Sequence, residues 1–290
     1  MPKYVPRSQT ANNKTHTTHR DAHNTLTTAS TITVTAPLNH GDPQQYADDR
    51  ICLIVVTAFC CQHGDENEVV RNYKRRTVTI SSAHRLQPGK WLNDELFQYF
   101  TAMVSNEDER LSSAEPSQKR SRIFSTFFYT QLMAASGSYS YEAVAGWTRT
   151  LDIFELDKIL IPINVDNRHW IVVKVSMTKK LIQLYDPMGG HNSNPVPYFH
   201  QILRFLSDEH LDKKGGAVLP EFSSWRLVLQ DTQLPMQPNA YDCGVFVSAF
   251  IYFSVLNLPF HRDSGIDPNR FAADLRFQFA RSIMTKIIHF

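Results

Sequence analysis

Between Cys243 and Leu256 the chain reads CGVFVSAFIYFSVL, apolar nearly all round. A helix of that composition has no face to give to water, so other elements must cover it on every side. The chain therefore needs a layered fold with a helix inside it. Its 290 residues, 42 % apolar and 20 % charged, are enough for one large domain or two small ones with a sizeable core.

The covering layers are legible upstream. Ile159–Ile163, Trp170–Val175 and Leu181–Tyr185 are β-branched or aliphatic runs separated by turn-type residues, and Trp225–Leu229 reads as a further strand. Leu96, Phe97, Phe100, Met103 and Val104 make one helical stripe after Trp91-Leu-Asn-Asp94. Residues 105–122 are polar and read as a surface loop. Trp147 to Lys158 has the spacing of a short helix. Helices are expected over Tyr198–Leu211 and Phe271–Ile288, and 186–197 reads as a loop rich in Gly, Asn and Pro. The class is α+β, a mixed central sheet flanked by helices.

The N-terminal part differs in character. Ten threonines fall in the first thirty-six positions among Asn, His and Ser, and such a stretch cannot bury enough surface to offset its ordering entropy. Residues 1–50 read as a disordered polar tail, 51–76 as an ancillary segment, and 77–290 as the folded domain. His16, His19 and His23 could share a helical face and bind a metal, but a polar tail accounts for them. No signal peptide is evident, and the apolar run 51–61 is well short of the roughly 20 residues that cross a bilayer. A formal charge of +2 gives no argument for nucleic acid or an acidic membrane surface. Cys52, Cys60 and Cys61 sit in one run and Cys243 stands alone, which is not the spread of a disulfide scaffold. The expectation is a soluble intracellular monomer without metal or cofactor.

Cys243 opens the buried helix, where partial positive charge and unpaired N–H groups favour a thiolate. Most free cysteines are small core residues. What singles this one out is a base and an orienter. His169 opens one strand and Asp186 closes the next. With a two-residue turn at Met177–Thr178 they lie directly opposite. With a four-residue turn His169 lies opposite Met188, whose same-face neighbour is Asp186; a three-residue turn breaks the arrangement. Asp186 can then fix the ring while the other nitrogen takes the thiol proton. Gln237, six residues before Cys243, carries a side-chain amide able to donate to a developing oxyanion together with the Cys243 N–H. Gly244 would let other backbone approach the sulfur.

Taken in order, Trp91-Leu-Asn-Asp94, Asn167-Arg-His-Trp170, Tyr185-Asp186 and Gln237-Pro-Asn-Ala-Tyr-Asp-Cys-Gly244 resemble the signature of the Ulp/SENP-type ubiquitin-like-protein-specific proteases. Phe127-Phe-Tyr-Thr130 and Leu156-Asp-Lys-Ile-Leu-Ile-Pro162 add to it, and the resemblance spans about residues 77–290. It implies a papain-like cysteine protease fold with His169, Asp186 and Cys243 as triad and Gln237 as oxyanion donor. It implies too that Trp91 and Trp170 sandwich a substrate's C-terminal Gly-Gly and that Asp94 meets a basic residue on the ubiquitin-like body. The partner implied is SUMO and its conjugates. Another modifier such as NEDD8, a catalytically silent binding module and an acyltransferase are the alternatives. The family suggests the nucleus, with the cytoplasm as a further location, and Lys74-Arg75-Arg76 reads as part of a nuclear import signal or as solvated charge. Departures are small: Pro187 and Met188 stand where the family often has Ser, and Lys90 where Arg is frequent.

Overall fold

The computed structural model describes residues 65–288 apart from 116–119, 135–136, 190–193, 195, 220–223, 230–232 and 262–266. The tail, the apolar run 51–61 and His16, His19 and His23 lie outside the described residues. Among the described residues no helix is long and apolar enough to cross a membrane.

The first elements are an antiparallel hairpin, β1 (Val69–Tyr73) and β2 (Arg76–Thr79), and a short helix α1 (Ile80–Ala83). Lys74, Arg75 and Arg76 are exposed at its turn. Val70 and Tyr73 pack on the apolar core. The long helix α2 (Asp94–Ala114) follows. Its start is written in the sequence: Asn93 accepts the Leu96 N–H at 3.1 Å, and Asp94 and Glu95 place negative charge in the first turn. Its end is not. Residues 105–114, expected as loop, continue the helix. Beyond Val104 the next buried position on this stripe is Asp108, whose carboxylate accepts the Ser121 N–H at 2.8 Å. The apolar period therefore stops before the helix does. Burial raises the pKa of Asp108 above its ordinary value, an effect the Ser121 hydrogen bonds oppose.

β3 (Ser121–Ile123), β4 (Lys158–Val165), β5 (His169–Ser176), β6 (Leu181–Tyr185) and β7 (Arg226–Val228) form one sheet in that order. The outer pairs are parallel and the inner two antiparallel. Between β3 and β4 lie the short helix α3 (Phe128–Leu132) and two 3-10 turns, Ala145–Thr148 and Ile153–Glu155. The helix expected over 147–158 is thus replaced by two tight turns. Asp152 takes the Phe154 N–H at 3.0 Å with its side chain, which starts a new turn instead of continuing the first. After β6 come α4 (Val196–Lys213), then α5 (Cys243–Val255) and α6 (Pro268–Thr285).

Both faces of the sheet are covered, which is why its strands read as continuous apolar runs. On one face Leu160, Trp170, Val172 and Tyr185 join a core with Phe97, Phe246 and Phe279, drawn from α2, α5 and α6. On the other, Ile161, Ile171, Val173 and Leu184 pack with Phe199, Phe205 and Phe128. Helix α5 is buried along nearly its whole length, as its composition requires.

Two turns decide where β5 begins and ends. Asp166 and Asn167 adopt φ of 51° and 56°, and Arg168 N–H closes onto the Val165 carbonyl at 2.9 Å. Asp and Asn tolerate that left-handed backbone, and the turn delivers His169 at the first position of β5. At the other end Ser176 pairs with Leu181, so the β5–β6 turn has the four-residue form.

Gly244 is held to glycine by its packing. A Cβ there would lie 3.0 Å from Leu92 Cβ and 3.1 Å from Trp170 Cδ1. The close approach is by side chains, not by backbone as the sequence alone suggested. Gly244→Ala should lower unfolding free energy by about 1–3 kcal/mol through overpacking, read as a reduced midpoint in thermal denaturation.

Candidate active site

β5 brings His169 to one end of the sheet, and β6 brings Asp186 to the same end, one residue past the strand. The ladder stops at the Val172–Tyr185 pair, so both side chains extend beyond it. His169 Nε2 lies 2.7 Å from Asp186 Oδ1. That oxygen also accepts the Met188 N–H at 2.9 Å, which orients the carboxylate. Asp186 is 3 % exposed, so its pairing with the ring is little screened by water.

The other ring nitrogen, Nδ1, is buried and has no hydrogen-bond partner among the described residues. Trp170, the residue after His169, lies against Gly244, the residue after Cys243, which brings the start of α5 to this end of β5. Burial pulls the pKa of His169 down, but the hydrogen bond and charge of Asp186, with the nearby Cys243, outweigh it and raise the value to about 9. At neutral pH the ring therefore keeps a proton beside the sulfur. Cys243 is the first residue of α5, buried and without a disulfide.

Gln237 lies on the loop before α5, and its N–H donates to the Pro187 carbonyl at 2.9 Å, which ties this loop to the Asp186 turn. One N–H of its side-chain amide donates to the Asn239 carbonyl, and its Oε1 is buried without a partner. The second amide N–H is not committed to Asn239. Tyr185 supports the same loop, its hydroxyl donating to the Pro235 carbonyl at 2.7 Å.

The two tryptophans differ. Trp91 is 43 % exposed and is steadied by Nε1–H donating to the Ala240 carbonyl at 3.1 Å. Trp170 is 2 % exposed, stacked on Phe97 with ring centroids 4.6 Å apart, and its Nε1–H donates to the Leu92 carbonyl at 3.1 Å. Asp94 is the half-buried first residue of α2.

One polar residue next to this site was not singled out by its sequence. Arg276 of α6 is 2 % exposed and pairs with Asp242, immediately before Cys243. The signal was available: Ala272, Arg276, Phe279 and Ile283 share a helical stripe, and an arginine within an apolar stripe needs an explanation.

A histidine oriented by a buried carboxylate, with a free cysteine opening the neighbouring helix, is a set of groups able to carry out covalent acyl transfer. The sequence profile of the Ulp1 protease family, C-terminal catalytic domain, matches residues 90–286. A Sentrin-specific protease of Caenorhabditis elegans is 31 % identical over 198 residues, covering 65 % of this chain and 25 % of that protein. Ubiquitin-like-specific protease 1A of Arabidopsis thaliana is 30 % identical over 198 residues, covering 66 % and 37 %. The chain thus spans between a quarter and two fifths of the length of these curated relatives. Among solved structures, the C-terminal Ulp1 protease domain in complex with Smt3, the yeast ortholog of SUMO, aligns with a TM-score of 0.61 at 24 % identity over 86 % of this chain and 98 % of that one. The Ulp1-like SUMO protease catalytic domain of Chaetomium thermophilum aligns with a TM-score of 0.66 at 16 % identity over 84 % and 90 %. The fold is the papain-like α+β fold of these proteases.

Proposed function

The chain belongs to the Ulp1 protease family, and from that membership we propose that it is a cysteine protease hydrolysing the bond after the C-terminal Gly-Gly of SUMO. The observation that carries this reading is His169, held at 2.7 Å by Asp186 through one nitrogen, with Gly244, next to Cys243, packed against Trp170, next to His169.

In this reading the Cys243 sulfur attacks the carbonyl carbon of the terminal glycine. The carbonyl oxygen gains negative charge, met by the remaining Gln237 amide N–H and the Cys243 N–H. As the tetrahedral centre collapses, the C–N bond breaks and protonated His169 passes its proton to the leaving amine. The thioester left on Cys243 is hydrolysed by water activated by the now neutral ring. The amine is a target lysine in deconjugation and a precursor tail in processing. Trp91 and Trp170 bound the glycine pair, where residues without side chains fit between indoles. Trp170, pinned by Phe97 and Leu92, is the fixed wall, and Trp91 is the exposed one. Asp94 meets a basic residue on the SUMO body. Nuclear residence belongs to the same proposal.

C-terminally electrophilic forms of SUMO, NEDD8 and ubiquitin distinguish the readings. The SUMO probe should label Cys243 in the wild type and leave Cys243→Ala unlabelled. Capture of a non-SUMO probe alone would overturn the choice of modifier. A thiol that alkylates with a small haloacetamide yet takes no probe would identify a silent binding module.

A further inference from the structure

The buried guanidinium of Arg276 spends all five of its N–H donors on two segments far apart in sequence. Nε donates to Asp242 Oδ1. Nη1 donates to the Arg85 and Gln87 carbonyls, both at 3.1 Å. Nη2 donates to the Lys90 carbonyl and, at 3.3 Å, to the Tyr241 carbonyl. The first segment, residues 85–90, runs directly into Trp91. The second, Asn239–Asp242, runs directly into Cys243.

The connections continue on the Cys243 side. The other oxygen of Asp242 accepts from Asn239 Nδ2 at 2.7 Å. Asn239 Oδ1 accepts the Tyr241 and Asp242 N–H groups at 3.0 Å each, and the Asn239 carbonyl takes the Gln237 amide. Trp91 Nε1–H reaches the Ala240 carbonyl in the middle of this turn. A path of hydrogen bonds thus joins α6 to the oxyanion-donor candidate and to the exposed indole. Fold stability alone is a poor reason for it, since well-packed apolar residues of similar volume often serve as well as a buried ion pair. Carbonyls of two loops turned towards one point do need a donor with that many arms.

Resting on the protease reading, we infer that Arg276 is a positioning residue: it holds the Trp91 segment and the Gln237–Cys243 segment at a fixed separation. The Gly-Gly tail then enters with its carbonyl in line with the sulfur. Arg276 touches neither substrate nor sulfur and acts through backbone carbonyls and Asp242.

The test compares wild type, Arg276→Lys and Asp242→Asn on a SUMO precursor, with thermal unfolding and the rate of Cys243 alkylation by a small haloacetamide measured alongside. Lysine keeps the charge but has three donors, and asparagine in place of Asp242 keeps the shape without the charge. The expected result is cooperative folding, alkylation within about twofold of wild type because the local pair that activates the thiol is untouched, and kcat lower by about 10²-fold from a misplaced tail, with KM little changed. Asp242→Asn carries the test if Arg276→Lys does not fold. Wild-type kcat in either folded variant overturns the inference. So does a fall in alkylation matching the fall in kcat, which would place the effect on the thiol itself. A loss of activity only in proportion to unfolded protein overturns it as well. Wild-type protein that alkylates but cleaves no modifier overturns the protease reading instead, and this inference with it.

Discussion

Turnover of a SUMO precursor by Cys243→Ala protein is expected to fall by a factor on the order of 10⁶, as when a nucleophile that works as a unit with its base is removed. In the proposed mechanism the sulfur supplies the bond on which both halves of the reaction depend. Cys243 is the first residue of α5 and is buried, so alanine occupies the position without exposing new surface or adding volume. Affinity for the modifier should therefore survive. Single-turnover assays with titration calorimetry read the two quantities separately. Near-normal hydrolysis by the alanine variant would remove Cys243 from the mechanism.

Asp186→Asn should cost about 10⁴-fold in kcat, the scale on which a wrong histidine tautomer acts in comparable sites. The carboxylate Oδ1 serves both His169 Nε2 and the Met188 N–H. An amide at this position has no charge to hold a protonated ring, and where its N–H instead of its oxygen faces Nε2, Met188 loses its acceptor and the ring must carry its proton on Nδ1. That nitrogen is the one left to deal with the thiol. The variant should show its defect in pH dependence as well as in rate. Burial alone lowers the His169 pKa, and the partners that raise it to about 9 begin with Asp186. Without that charge, the alkaline limb of kcat/KM should move to lower pH. The linked stability has a definite sign. A folded pKa raised from 6.5 to about 9 contributes stability fully present below 6.5 and lost as pH rises through about 9. The variant should therefore differ from wild type in unfolding midpoint on the acid side of that window and converge with it on the alkaline side. An unchanged alkaline limb would mean that Asp186 does not set the state of the ring.

The three central strands of the sheet, β4 to β6, were plain in the sequence, because burial on both faces turns a strand into an unbroken apolar run and turn residues mark its ends; β3 (Ser121–Ile123), short and at the edge, was read as part of the loop over 105–122. The candidate site was proposed for a different reason: ordered motifs around His169, Asp186, Gln237 and Cys243 carry residue types that few structural needs explain together, and the fold brings His169 and Asp186 to 2.7 Å. The last part of α2 was missed since its buried stripe changes from hydrocarbon to the carboxylate of Asp108. The turns over 145–155 were missed since Asp152 competes for backbone donors that a continuous helix would use.

From residues alone came the apolar helix, the strands that must cover it, and two possible registers bringing His169 and Asp186 to one face. Only the folded chain decided between those registers, by closing a four-residue turn before Leu181. It also decided which ring nitrogen faces the carboxylate, and that Gly244 makes room for Leu92 and Trp170. Arg276 belongs to both: its place in an apolar stripe of α6 marks it in the sequence, but only the fold shows what it holds. Apart from Asp242, its partners are backbone carbonyls, which every residue possesses, so the sequences that supply them carry no mark of the contact.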